Sequence, residues 1–97
     1  MGLYLVEHTH TAEKCPAKDP QMVRKLASHI TPANAQNYGV KILADWVNDI
    51  EHRAVLVLET DSEDKAAKFA RPFLKFGELK VSLGITCAEV AAACLGK

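Results

Sequence analysis

The stretch at residues 3–16, LYLVEHTHTAEKCP, decides the fold because it begins as an apolar strand and ends in a polar cluster. Successive side chains of a strand point to opposite faces, and both faces of this segment start apolar and turn polar towards its C-terminal end. This pattern is typical of a central strand that is covered on both sides and ends at solvent or in a cavity. We therefore predict a strand over residues 3–10 and a loop over residues 11–18.

Helix starts follow this strand at two points. Asp19-Pro20 and Thr31-Pro32 each combine an N-cap residue with a proline at the first helical position. They predict either one kinked helix or two shorter helices, ending near Gly39, which is a typical C-terminal glycine. Further along, Asp61 predicts the N-cap of another helix, which Pro72 should kink or end.

Three more strands are predicted, over residues 40–47, 53–60 and 78–85. In the strand over residues 40–47, strict alternation places four side chains on one face: Val40, Ile42, Ala44 and Trp46. The strand over residues 53–60, the third in the chain, carries a near-continuous apolar run over residues 54–58. A run without alternation indicates burial on both faces of a sheet.

The end of the chain predicts a short helix over about residues 87–95, since Thr86 and Glu89 form a capping box. The order of elements is then β-α-β-β-α-β with a C-terminal helix, which is an α+β, ferredoxin-like arrangement. It implies a four-stranded antiparallel sheet in the order 4-1-3-2, with both long helices on one face. The whole chain, residues 1–97, is predicted to form this single domain.

The strands carry apolar residues on both faces, so the face without helices also requires burial, most simply against a second copy. In the order of its elements and in having strands that are apolar on both faces, the chain resembles the dimeric α/β-barrel superfamily, whose small chains pair sheet to sheet. Residues 5–16 look like the corresponding stretch of small prokaryotic proteins of this type. The resemblance implies a homodimer or higher homo-oligomer. It does not define a reaction, since the superfamily includes monooxygenases, isomerases, stress-responsive proteins and metal-binding members.

Composition and charge exclude several classes of partner. Twelve basic residues balance twelve acidic ones, and no basic stripe is present, so neither a nucleic acid nor an anionic membrane is expected as a partner. The first apolar run is too short for a signal peptide or a membrane span, which predicts a cytoplasmic protein. The three cysteines, Cys15, Cys87 and Cys94, lack a Cys-x-x-Cys motif and are expected to be free thiols.

Candidate metal ligands gather at the end of the first strand. His8 and His10 share one face, and His52 precedes the third strand, whose start lies beside this end in the predicted topology. Cys15 lies in the loop that leaves the strand. Histidine nitrogen and cysteine sulfur suit nickel, zinc, copper or iron, which predicts a ligand set of His8, His10, Cys15 and His52. Neighbouring acidic residues could add oxygen ligands or orient the histidines: Glu7, Glu13 and Glu51.

Other interpretations of these residues stay open. The histidines could form a hydrogen-bonded strand end or line a pocket without metal, and Cys15 could be a reactive thiol activated by Lys14 and a histidine base. Tyr4 and Trp46, the largest residues on their strand faces, could line a ligand pocket or fill a dimer core. The sequence thus supports three functions: a metal-binding protein, a cofactor-free enzyme of the monooxygenase or isomerase type, and a non-catalytic stress-related or interaction module. It does not decide whether the protein is an enzyme.

Overall fold

The protein consists of a four-stranded antiparallel sheet and helices, and a computed structural model describes residues 2–96. The strands are β1 (Gly2–His10), β2 (Lys41–Asn48), β3 (Arg53–Thr60) and β4 (Gly77–Gly84). The helices are α1 (Pro20–His29), α2 (Pro32–Asn37), α3 (Glu63–Ala70) and α4 (Cys87–Leu95). The strand order is β2-β3-β1-β4, which confirms the predicted α+β, ferredoxin-like fold.

The connection from β1 to β2 contains two separate helices, each starting where a cap and a proline coincide. Asp19 accepts a hydrogen bond from the backbone N–H of Gln21 at 3.0 Å, which caps α1. Thr31 accepts from the backbone N–H of Asn34 at 3.1 Å, which caps α2. These side-chain acceptors satisfy N–H groups that have no partner in the first turn of a helix. Gly39 then adopts a left-handed φ of 71°, as a C-terminal glycine should.

The second connection differs from the prediction by one residue. Ser62, and not Asp61, is the N-cap of α3, because its hydroxyl accepts from the backbone N–H of Lys65 at 3.2 Å. Asp61 instead forms an ion pair with the Lys65 ammonium at 2.9 Å. The helix ends before Pro72, which lies in a 3₁₀ turn over Arg71–Lys75.

The hydrophobic core lies between the sheet and α3. Phe69 of α3 and Leu58 of β3 are fully buried, and Val6 of β1 is nearly so. The remaining core residues come from the same face of the sheet and from the helices and loops above it: Tyr4, Ala35, Val40, Leu56, Ala66 and Ala70. By contrast, α1 contributes no buried residue. The part of the sheet that α1 covers therefore lacks the close packing that α3 provides elsewhere.

A register shift in β2 changes which side chains face the helices. Ile42 pairs with Leu58 of β3 and packs against the core, but the pairing shifts by one residue before Ala44. Beyond the shift, Trp46 pairs with Val55 and therefore lies on the opposite face. The prediction that Ile42, Ala44 and Trp46 share a face is wrong, because one extra residue in a strand reverses the alternation after it.

The terminal helix projects from the rest of the protein. Every residue of α4 is exposed, although eight of its nine residues are apolar and only Glu89 is charged. The radius of gyration is 14.8 Å, whereas a compact domain of this length would have about 12.5 Å. No helix within residues 2–96 is long and apolar enough to cross a bilayer.

Candidate functional site

The C-terminal end of β1 meets the start of β3 and the loop that follows β1. His10 donates its backbone N–H to the backbone carbonyl of His52 at 3.1 Å, so the two residues are direct neighbours across the strand ends. Cys15 lies between two short 3₁₀ turns, Ala12–Lys14 and Pro16–Lys18, which fold the loop back over this end. The sheet topology and the loop together place two imidazoles and one thiol at the same point.

His10, Cys15 and His52 form the cluster with metal-ligand chemistry among the described residues. One ligand atom from each lies within 4.8 Å of the others. Within residues 2–96, two buried side-chain atoms lack a hydrogen-bond partner, and both belong to this cluster: Nε2 of His10 and Nδ1 of His52. A buried polar atom without a partner destabilises the fold by roughly 1–3 kcal/mol, so its presence calls for an explanation.

His8 lies beside the cluster, but both of its ring nitrogens are engaged. Its Nδ1–H donates to the backbone carbonyl of Glu78 at 2.9 Å. A neutral imidazole carries one N–H, so His8 Nε2 is the acceptor for the Nδ1–H of His10, at 2.9 Å. The hydrogen-bond network thereby assigns the tautomers and leaves a lone pair on His10 Nε2. Of the four predicted ligands, His8 is the one whose ring is already committed to other partners.

Burial favours the neutral form of these two imidazoles. It lowers the pKa of His8 below the ordinary value of 6.5, and the hydrogen bond to the Glu78 carbonyl opposes this shift. Burial also lowers the pKa of His10, with further contributions from the neighbouring His8 and His52. Neutral imidazole is the form that binds metal ions, because only an unprotonated nitrogen has a lone pair to donate.

The turn before β3 holds His52 in an unusual backbone conformation. The Asn48 side chain accepts hydrogen bonds from the backbone N–H groups of Ile50 and Glu51, at 3.1 and 3.0 Å, and so builds the turn. His52 then adopts a φ of 56°, the one positive φ among the described non-glycine residues. This left-handed conformation costs roughly 1–2 kcal/mol in an L-residue and is found disproportionately at functional sites.

Phe73, in the α3–β4 connection, and Gly77, the first residue of β4, complete the site, although neither was predicted to belong to it. Gly77 pairs with His10, and a Cβ at Gly77 would lie 2.0 Å from the carbonyl oxygen of Thr9. The glycine therefore lets β4 approach the histidine strand closely. Phe73 packs its ring against that of His8, with 4.9 Å between ring centroids. The available signal was a glycine directly before the predicted strand over residues 78–85, because glycine in a strand often marks a close backbone approach.

Several residues considered from the sequence do not join the cluster. Glu7 alternates with His8 and therefore lies on the opposite face of β1. Glu51 pairs with Arg53 at 3.0 Å on the exposed turn. The two residues predicted to line a ligand pocket are not brought together. Tyr4 is buried on the helix-covered face, whereas Trp46 is 46% exposed, lies beneath the Arg53 guanidinium and borders a cleft between α1 and the sheet.

The cluster has the donor set of a three-ligand transition-metal site. A tetrahedral zinc ion with bonds of about 2.0–2.3 Å holds its ligand atoms about 3.5 Å apart. The three ligand atoms here lie within 4.8 Å of one another, so shifts of about 1 Å would bring them to that spacing. Two imidazole nitrogens and one thiolate could thus bind a metal and leave a fourth position open, which is the arrangement of catalytic zinc sites.

Comparison with known proteins identifies a family without assigning an activity. A family model described as "Domain of unknown function (DUF3303)" matches residues 3–96. A search of curated proteins finds no match. The match covers almost the whole chain and includes every residue of the cluster.

Proposed function

We propose that this chain, which belongs to the DUF3303 family, is a transition-metal-binding protein with a centre formed by His10, Cys15 and His52. One observation supports the proposal above all: the two buried atoms without hydrogen-bond partners are ring nitrogens of His10 and His52, the two histidines that cluster with the Cys15 thiol. A bound metal would satisfy both nitrogens at once. It would also account for the strained backbone of His52, which places the ring at the cluster.

The donor set favours zinc among the candidate metals. Zinc has no geometric preference of its own and commonly combines imidazole with thiolate ligands. Nickel, copper and iron accept the same donors. In this proposal His8 is an outer partner that orients His10, as carboxylates and carbonyls orient zinc-bound histidines in other proteins. The open fourth position would serve Lewis-acid chemistry or reversible binding of a ligand.

Elemental analysis of untagged protein, purified without chelator and reconstituted with Zn²⁺, tests the proposal. We expect close to one metal ion per chain, and loss of that metal in His10→Ala and in Cys15→Ser. The matched controls are His29→Gln and Cys94→Ser, because His29 donates to the Phe69 carbonyl away from the cluster and Cys94 is exposed on α4. Protein that stays metal-free after reconstitution would overturn the proposal, as would full metal retention in both cluster variants.

We also propose that the protein is a homodimer in the manner of a dimeric α/β barrel. The sheet face away from the helices exposes Leu5, Leu43 and Trp46, and α4 exposes Val90 and Leu95. Apolar surface on two elements of one chain supports mutual burial in a second copy. A reducing cytoplasm would suit the site, since Cys15 must remain reduced to bind a metal as its thiolate.

A further inference from the structure

A cleft opens between α1 and the sheet, directly beside the cluster. Its volume is about 460 Å³, within the range of about 300–1,000 Å³ that is usual for small-molecule sites. His8 and His10 line one end of the cleft. The side chains that line its walls are mostly apolar: Val23, Leu26, Ile30, Leu56 and Phe73.

The cleft exists because α1 does not pack closely on the sheet. Val23, Leu26 and Ile30 form an apolar stripe at helical spacing, a pattern that normally faces a core. Ile30 is half-buried against the core and Leu26 is half-buried, whereas Val23 is 44% exposed. An apolar stripe that faces a cleft with histidines at its end has the composition of a ligand site: apolar walls and a few convergent polar groups.

We propose that this cleft binds a small, uncharged, largely apolar molecule whose single Lewis-basic head group meets the metal held by His10. The placement of the head group rests on the proposed metal site, whereas the apolar walls do not. Asp45 is the charged residue among those that line the cleft. Its carboxylate disfavours anionic ligands, and the apolar walls disfavour strongly hydrated ones.

The probe for this proposal is 4-phenylimidazole, which joins an apolar ring to a nitrogen base. We titrate it into zinc-loaded and metal-free protein and follow the methyl NMR signals of Val23, Leu26 and Ile30. We expect these methyl signals to shift in both forms, with an affinity about tenfold or more higher when zinc is present. Imidazole, which lacks the apolar ring, should bind zinc-loaded protein about tenfold or more weakly than the probe.

A cleft-filling variant provides the mutational test. Ala27 lines the cleft at an exposed position of α1, so Ala27→Trp should fill the cleft without disrupting the core. We expect it to lose probe binding and keep its zinc content. Ala33→Trp, at an exposed position of α2 outside the cleft, is the matched control and should bind the probe normally.

The outcomes separate this inference from the metal proposal. Zinc uptake without any shift of the three methyl signals would overturn the cleft as a ligand site and leave the metal site standing. Methyl shifts in a protein that takes up no metal would support the apolar cleft and overturn the head-group placement, together with the metal site. Equal probe affinity with and without bound zinc would overturn the head-group placement alone.

Discussion

His8 Nε2 accepts the hydrogen bond that His10 Nδ1–H donates, at 2.9 Å, and this contact leaves Nε2 of His10 as the nitrogen with a free lone pair. His8 is held in turn by the Glu78 carbonyl, which accepts only from a protonated Nδ1. The backbone of β4 thus sets the tautomer of His8, and His8 sets the tautomer of His10. A strand outside the cluster thus determines which nitrogen of His10 keeps a free lone pair.

Removing the acceptor at position 8 should weaken metal binding without removing a ligand. His8→Leu keeps much of the buried volume but provides no acceptor for His10, and we expect zinc affinity to fall about 10–100-fold. His8→Gln retains an acceptor oxygen near the position of Nε2 and should recover most of the affinity. Competition with a chromophoric chelator measures both variants. Equal affinities for the two variants would contradict the orienting role of His8.

Replacing His52 by glycine should abolish metal binding without lowering the stability of the fold. Glycine adopts the φ of 56° without strain, so His52→Gly should keep the free energy of unfolding within about 1 kcal/mol of wild type or raise it. The same variant should lose zinc, because it removes one of the three ligands. His52→Asn is the control for the backbone, since asparagine tolerates the left-handed region. Urea unfolding of metal-free protein and zinc analysis provide the two measurements, and retained stoichiometric zinc in His52→Gly would exclude His52 as a ligand.

A side chain at Gly77 should disturb the histidine strand. A Cβ there would lie 2.0 Å from the Thr9 carbonyl oxygen and 2.8 Å from the His10 Cα. Gly77→Ala should therefore destabilise the protein by about 1–3 kcal/mol and weaken zinc binding as His10 shifts. Gly84, in the same strand, has no neighbouring atom within 4 Å of the equivalent Cβ, so Gly84→Ala should stay within about 0.5 kcal/mol of wild type. If thermal unfolding shows that Gly77→Ala and Gly84→Ala change the stability equally, then β4 does not approach the histidine strand closely at Gly77.

The stability of metal-free protein should decrease in mild acid. Burial lowers the folded-state pKa of His8 and of His10 below 6.5, the ordinary value that applies to the unfolded chain. Between the lowered pKa values and pH 6.5, the unfolded state binds more protons, so the free energy of unfolding falls as the pH decreases through this window. The contribution of these two groups to the free energy of unfolding should become constant above about pH 8. Urea titrations in the presence of chelator measure this profile, and it should flatten in the His8→Gln/His10→Gln variant.

A charge on α4 should separate the two copies of the proposed dimer. Sedimentation of wild-type protein should give about twice the chain mass of 10.6 kDa. Val90→Asp places a carboxylate on the apolar helix and should yield the monomer, because an unpaired charge is costly to bury. Gln36→Asp, exposed on α2, is the control and should remain dimeric. Cys87 and Cys94 should react faster with a thiol reagent in the Val90→Asp monomer, and a wild-type monomer would contradict the proposal.

The helix boundaries could be predicted from the sequence because their signals are local. The cap-and-proline pairs at Asp19-Pro20 and Thr31-Pro32 start helices as predicted, and Thr86 with Glu89 forms the capping box of α4. Where two cap residues are adjacent, as at Asp61 and Ser62, the sequence alone does not choose between them. In the folded chain the Ser62 hydroxyl accepts from the backbone N–H of Lys65 and caps the helix, while Asp61 forms an ion pair with the Lys65 ammonium.

The sequence by itself determined the order of elements, the strand arrangement that follows from it, and the proximity of His10 to His52. These follow from periodicity and from topology, which bring the end of β1 beside the start of β3. Only the tertiary structure decided which side chains of β2 face the helices. The register shift has no signal in the local sequence, and it moves Trp46 away from Tyr4. The tertiary structure also decided the role of His8, because the hydrogen bond that commits its ring joins residues 70 positions apart. Residue spacing places side chains on faces, whereas long-range hydrogen bonds determine which of their atoms remain free to bind.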